Sequence, residues 1–265
     1  MGDSDMPRKD RPCLVRQESF GGTVFNVNNG KRIYVNNDEF SLLEETRILT
    51  DNLQAELKAV ANNVIIRKPF ELFNHSFSGP DKVFFELTRS CNIRCIDCFN
   101  ASGIALPGEM KKDQILKTID DLAEFGAQEI RFTGGEPMIS KSLPNYVRRT
   151  NDWGLRTSIG TNAMLATGSL AQILAESGFN KTSPTRLALC CNPITKENVS
   201  ELFDIYVFGR ERNILPVNAC LMVSGKQIDA RYLAIHDAPV EMKESLFRRI
   251  YRYNMEHGIN TVDQL

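Results

Sequence analysis

The chain has 265 residues, 42% hydrophobic and 25% charged, and 32 Lys plus Arg against 33 Asp plus Glu give a formal net charge of −1. This is the balance of an ordinary globular chain; it excludes a mainly disordered, collagen-like or membrane-bundle protein, and no basic excess argues for a nucleic-acid groove or an anionic membrane surface. Seven cysteines is an odd count in a chain too long to need disulfide staples, so cysteine is expected to serve as chemistry.

Residues 1–10 are charged and contain proline, and read as a tail without the apolar stretch of a secretory signal. No run approaches the roughly 18 apolar residues of a membrane span, so a cytoplasmic location is expected. Three short strands follow at 13–16, 22–27 and 32–35. Gly21-Gly22 and Asn28-Asn29-Gly30 supply the turns, the second a strong hairpin signal. Helices are predicted over 38–49, with Asp38 as N-cap, and over 52–61. Together these make a small βββα domain over 11–65. Pro69 and Ser76-Phe77-Ser78-Gly79-Pro80 mark 66–80 as a linker.

From residue 81 to 265 strands and helices alternate, the pattern of a parallel sheet with crossover helices. Strands are predicted at 83–87, 129–132, 155–159, 186–191 and 217–223. Helices are predicted at 113–125, 143–153, 169–177, 195–212 (with Thr195 as N-cap) and 241–257. On the first of these helices Ile115, Leu116, Ile119, Leu122 and Ala123 form one apolar face, closed by Gly126.

Cys91-Asn92-Ile93-Arg94-Cys95-Ile96-Asp97-Cys98 begins just after the first of these strands. Three thiols within eight residues, at a strand's C-terminal end, are placed to converge on one metal centre. Thiolates suit zinc or an iron–sulfur cluster. A closed zinc site wants four ligands, commonly as two separated pairs, and no second pair is present here. A [4Fe–4S] cube on three cysteines keeps one iron open to a small molecule. Two other strand ends carry motifs: Thr133-Gly134-Gly135-Glu136-Pro137 after the second, and Gly160-Thr161-Asn162-Ala163 after the third. Taken alone, the glycine pair reads equally as a tight turn and Glu136 as a solvated charge.

In this order and at these positions, the C-x3-C-x2-C, GGEP and T-N-A motifs resemble the radical S-adenosylmethionine (SAM) superfamily, over about residues 81–225. The resemblance implies a partial (β/α)6 barrel with Cys91, Cys95 and Cys98 as cluster ligands and SAM on the unique iron. It implies that Gly134 and Gly135 let backbone approach the methionine moiety, that Glu136 accepts from its ammonium group, and that Asn162 is a polar contact. A 5′-deoxyadenosyl radical would then take a hydrogen from the substrate, while the protein positions and shields the reaction. An electron donor such as flavodoxin or ferredoxin is implied as a partner. The aromatic residue usual before the third cysteine is replaced by Asp97, leaving Phe99 as the candidate adenine contact.

Barrels of the family usually have six strands and this chain shows five, with the third-strand motif running almost directly into Gly168-Ser169-Leu170. The expectation is a fourth strand missing near Thr167/Gly168 and a chain that stops short of a complete barrel. Arg11-Pro12-Cys13-Leu14-Val15-Arg16 with Phe20-Gly21-Gly22 is similar to the PqqD-like domains fused ahead of peptide-modifying members (the SPASM type). That likeness implies a peptide substrate bound as an added strand. A structural cap, and a small metabolite or sugar as substrate, stay open, as does a non-enzymatic zinc or interaction protein.

Of the other cysteines, Cys13 is expected in a core strand. Cys190 and Cys191 are adjacent in a strand, so one faces inward. Cys191 and Cys220 are candidate hydrogen-atom donors, against the plainer reading of small buried hydrophobes. No cysteine follows Cys220, so no auxiliary cluster is readable. His236 is a candidate substrate contact, His75 and His257 structural or solvated residues, and Tyr251 and Tyr253 packing residues.

Overall fold

A computed structural model describes residues 11–95, 98, 100–177, 188–211, 215–220 and 235–259. The chain divides into two compact units. The first opens with strands β1 (Cys13–Glu18), β2 (Gly21–Phe25) and β3 (Arg32–Val35), helices α1 (Asn37–Thr46) and α2 (Asp51–Leu57), and strand β4 (Val64–Arg67). The sheet order is β3-β2-β1-β4, antiparallel except for the parallel β1–β4 pair. The N-cap of α1 is Asn36, not Asp38: Asn36 accepts from the Glu39 N–H, and the Glu39 carboxylate accepts from the Asn36 N–H. Both helices stop short of their predicted ends, because Arg47 (φ 59°) and Lys58 (φ 50°) turn into the left-handed region and cap them.

Strand β4 was not anticipated, and it carries the sheet across the expected domain boundary at 65/66. Its partner β1 then lies inside the sheet and is buried on both faces. Cys13 and Val15 pack on one side with Val24, Val35, Phe40, Leu43 and Leu57. Leu14 packs on the other with Phe25, Val27 and residues of the second sheet. Burial pushes the Cys13 thiol up to about 12, which makes it an inert core residue.

The same unit continues with β5 (Lys82–Glu86), α3 (Lys112–Glu124), β6 (Glu129–Thr133), α4 (Leu143–Asp152), β7 (Arg156–Ile159) and α5 (Gly168–Glu176). Strands β5, β6 and β7 are all parallel. Ile130 and Phe132 on β6 pack with Phe85, Ile119, Tyr146 and Val147, so α3 and α4 cover one face of this sheet. Polar side chains bind the two sheets together. Arg16, 1% exposed, donates to Glu18 at 2.7 Å, to Asp81 at 2.8 Å and to the Gly126 carbonyl at 3.1 Å. Gln128 donates to Thr23 at 2.9 Å, and Arg67 donates to the Trp153 carbonyl at 2.9 Å. Within the expected linker, Ser78 is fully buried and its N–H donates to Glu18 at 2.7 Å.

Thr167 and Gly168, where a missing fourth strand is expected, stand at the start of α5. Thr167 caps α5: its carbonyl accepts from the Ala171 N–H at 2.9 Å, and its hydroxyl accepts from the Leu170 N–H at 3.3 Å. Among the described residues no strand stands between β7 and the next strand.

The second unit contains residues 186–265 together with 95–101. Its described elements are β8 (Ala188–Ile194), α6 (Leu202–Glu211), β9 (Leu215–Cys220) and α7 (Val240–Glu256). Strands β8 and β9 pair in parallel, with a register irregularity between Cys190 and Pro193. Ile194, Val199, Leu202, Ala238 and Leu246 form its core. Helix α6 begins seven residues after the expected Thr195 cap. Thr195 instead bridges to Asp237, and its N–H donates to Asn198 at 2.9 Å, which holds 195–201 in turns.

Candidate functional site

The loop that leaves β5 is tied at its neck. Ser90 and Gly103 form a parallel bridge; the Cys91 N–H donates to the Gly103 carbonyl at 3.2 Å, and the Gly103 N–H donates to Arg89 at 2.8 Å. Between these ends lie the three cysteines. Cys91 and Cys98 are partly exposed and Cys95 is exposed. The Ala101 N–H donates to the Cys98 carbonyl at 2.9 Å, a local turn. Phe99 and Asp97 lie outside the described residues.

Glu109, which the sequence reading passed over, closes the neck from one side. Its carboxylate accepts from the Arg89 N–H, the Leu106 N–H and the Thr88 hydroxyl, each at 2.8 Å. The backbone N–H of Arg89 is the chief cause that holds this carboxyl below its ordinary range, helped by Leu106 and Thr88 against partial desolvation. No local motif marks such a residue; its only sequence signal is an acidic position just ahead of α3.

The Gly134–Glu136 turn closes the neck from the other side. The Gly135 N–H donates to the Thr88 carbonyl at 2.7 Å and the Glu136 N–H donates to Ser90 at 2.9 Å. A Cβ on Gly134, whose φ is +133°, would overlap the Thr88 carbonyl oxygen, and one on Gly135 would overlap that of Ser90. The sequence reading set these open faces against a bound methionine group. In the structure the chain's own β5 exit fills them.

Glu136 is completely buried, so the solvated-charge reading fails. Its carboxylate accepts from the Thr161 hydroxyl, the Met138 N–H and the Asn162 N–H, all at 2.8 Å. It fastens the end of β6 to the end of β7. Asn162 is held further by the Met164 N–H, which donates to its side-chain oxygen at 3.0 Å. That leaves its amide N–H directed at Asn92 (2.9 Å) and at the Cys91 sulfur (3.9 Å). Ala163 follows in the left-handed region, with φ 62°.

Cys91, Gly134, Gly135, Glu136 and Asn162 therefore stand together at the C-terminal ends of β5–β7. Among the described residues no three His, Cys, Asp or Glu side chains are gathered as a metal site. The donor chemistry nevertheless fits an iron–sulfur group. Three thiols occupy eight residues, and a side-chain amide N–H reaches the first sulfur, the outer-shell contact that tunes such groups. The backbones of Cys191 and Cys220 are in β8 and β9, with Cys220 opposite Ile194; their side chains lie outside the described residues. His236 pairs with Glu197 at 2.9 Å. His257 stacks on Tyr253, which also meets Phe203 and Tyr206 edge-on, as expected for a packing residue. Tyr251, expected as a packing residue, is instead 67% exposed.

Residues 85–189 match the family model described as the Radical SAM superfamily. Among curated proteins, the Fe-coproporphyrin III synthase of Methanosarcina barkeri is 34% identical over 113 residues, 42% of this chain and 28% of the relative. The PqqA peptide cyclase of Bradyrhizobium diazoefficiens is 35% identical over 105 residues, 39% of this chain and 28% of the relative. The aligned segment thus spans less than a third of these relatives' length. Among solved structures, Streptococcus suis SuiB bound to S-adenosylmethionine gives a TM-score of 0.60 at 17% identity, covering 92% of this chain and 69% of SuiB. SuiB bound to the precursor peptide SuiA gives 0.59 at 16%, covering 95% and 70%. The likeness to SuiB shows the fold. The likeness in sequence to the Radical SAM superfamily is carried by residues 85–189.

Proposed function

We propose that this chain is a radical SAM enzyme that modifies a peptide. One observation carries the reading: Cys91, the first thiol of C-x3-C-x2-C, meets the GGEP and T-N-A turns at one set of strand ends, inside the segment that matches the family. Cys91, Cys95 and Cys98 would hold a [4Fe–4S] cluster. When bound, the cluster and SAM supply a 5′-deoxyadenosyl radical able to take a hydrogen from a substrate carbon. The chain's own residues supply position. Glu109 and the Gly134–Gly135 turn fix the start of the cysteine loop from two sides. Glu136 accepts three bonds from within the chain, two on Oε1 and one on Oε2, and so holds Thr161 and Asn162 in place. Asn162 then offers an amide N–H toward the first ligand.

The peptide assignment draws on the N-terminal sheet. Among the described residues its outer strand β3 has no partner strand on its outer edge, and it carries an exposed Tyr34; an extended peptide can add to such an edge. The likeness to a fold that binds a precursor peptide supports the same reading. An electron donor of the flavodoxin or ferredoxin kind and a cytoplasmic setting complete it; no helix among the described residues is long and apolar enough to cross a membrane.

Anaerobic reconstitution of the full chain with iron and sulfide tests this directly. The expected product is brown, absorbs near 400 nm (about the thiolate-to-iron region), and releases 5′-deoxyadenosine from SAM under reduction. A colourless zinc protein, or an intact cluster that releases none, would reject the reading. Transfer of deuterium from a labelled peptide into 5′-deoxyadenosine would identify the peptide as substrate.

A further inference from the structure

We infer that Arg131 is a specificity-determining residue and that it receives a carboxylate of the substrate; the inference rests on the proposed reading that the substrate is handled at the ends of β5–β7. Along β6 the side chains alternate. Ile130 and Phe132 are fully buried on the helix side. Arg131 therefore stands on the opposite face, beside Phe84 of β5, whose ring is 63% exposed. The guanidinium carbon lies 5.8 Å from the Phe84 ring centroid. A Cβ on Gly160 would lie 3.4 Å from Arg131 Nε and 3.5 Å from a terminal nitrogen. The charge is thus carried to the C-terminal end of β7, two residues before Asn162.

Three cations share this face, and they differ in one respect. Lys82 and Arg156 both pair with Glu129, at 2.9 and 3.7 Å, and Glu129 also accepts from Ser158 at 2.9 Å. Among the described residues Arg131 has no carboxylate partner, and its guanidinium lies over the Phe84 ring. An arginine stacked on a ring keeps its edge N–H groups available, and that planar fork matches a carboxylate in two parallel hydrogen bonds. Lys82 and Arg156 share one carboxylate, so with Arg131 these groups carry more positive than negative charge, which favours an anion; the phosphate probe below separates a phosphate from a carboxylate. The carboxylate can belong to an acidic side chain of a peptide or to a small organic acid.

Phenylglyoxal labelling of the full 265-residue chain, resolved on Arg131 by peptide mass spectrometry, tests the assignment. The probes are glutarate, a blocked tripeptide with a central glutamate, their amide counterparts and inorganic phosphate, all at equal ionic strength. The expected result is labelling of Arg131 slowed about threefold or more by the carboxylates, an occupancy of some two-thirds, with no effect of the amides. Exposed Arg248 should be untouched by any probe. Protection by the tripeptide alone assigns the carboxylate to a peptide, and equal protection by glutarate assigns it to a small acid. Equal rates with every probe, or stronger protection by phosphate, would overturn the inference. Production of 5′-deoxyadenosine by the unlabelled wild type is the separate check on the underlying reading, so failure of either is distinguishable from failure of the other.

Discussion

The turn after β6 and the loop after β5 meet at the same sheet edge, yet they are built on opposite principles. The turn is closed by the chain alone: two glycines against backbone, and a buried carboxylate with three donors. The loop is tied at its neck through the Ser90–Gly103 bridge and Glu109, and its thiols are exposed to varying degrees. The difference separates what must be in place before a cofactor arrives from what the cofactor itself is left to organise. Metal-binding loops commonly take their final order from the metal.

The sharpest way to break this comparison is Cys98→Ala. If the loop depends on its thiols, reconstituted protein should lose essentially all absorbance near 400 nm and its iron, while the thermal melting of the apo chain stays within a few degrees of wild type. A variant that retains full iron would end the assignment of Cys98 as ligand.

Next in size is Gly135→Ala. The added methyl group would overlap the Ser90 carbonyl oxygen, so backbone must move and about 2–4 kcal/mol of stability should be lost. Urea unfolding measures it; a change under 1 kcal/mol (roughly the scatter of surface substitutions) would show that the turn gives way easily. A smaller effect of opposite sign is expected for Ala163→Gly. With φ at 62°, the alanine sits in the left-handed region, and glycine should relieve about 1 kcal/mol of strain there.

The smallest effect tests the neck. The Glu109 carboxyl is held below its ordinary range, so it binds fewer protons in the folded than in the unfolded state. Its contribution is therefore fully present above the ordinary carboxylate pKa of roughly 4.3 and is lost as pH falls through the depressed folded value. Glu109→Gln should flatten that part of the stability profile and speed proteolysis within 91–102 at neutral pH. Identical acid profiles for the two proteins would remove Glu109 from the clamp.

How much of this was legible in the sequence follows from the range of each interaction. The three motifs were readable because each is a short run whose chemistry is local. The strand–helix alternation was readable because one apolar face per helix repeats within a dozen residues, as on α3. Strand β4 was not: Val64-Ile65-Ile66-Arg67 is too short to declare itself, and its partner β1 lies about fifty residues away. Thr195 is a good N-cap residue in isolation, but its bridge to Asp237 redirected it into turns. Arg16 in a strand reads as a solvent-facing position, and only Glu18, Asp81 and the Gly126 carbonyl, two of them far along the chain, explain its burial. The bonds of Glu136 to Thr161, Met138 and Asn162 were not readable, because which donors converge on a buried carboxylate is a property of the fold.

The buried Arg16 cluster has a consequence for anyone wishing to build chimeras. Small N-terminal sheets are attractive to exchange between related proteins, cutting where the sequence suggests a joint, here around residue 65. Such a graft would carry Arg16 and Glu18 away and strand Asp81 and the Gly126 carbonyl in the host, or import an arginine with no acceptor waiting. A transplant of this sheet has to travel with the stretch through residue 81, and with a glycine at 126, where a Cβ would crowd the Arg16 side chain.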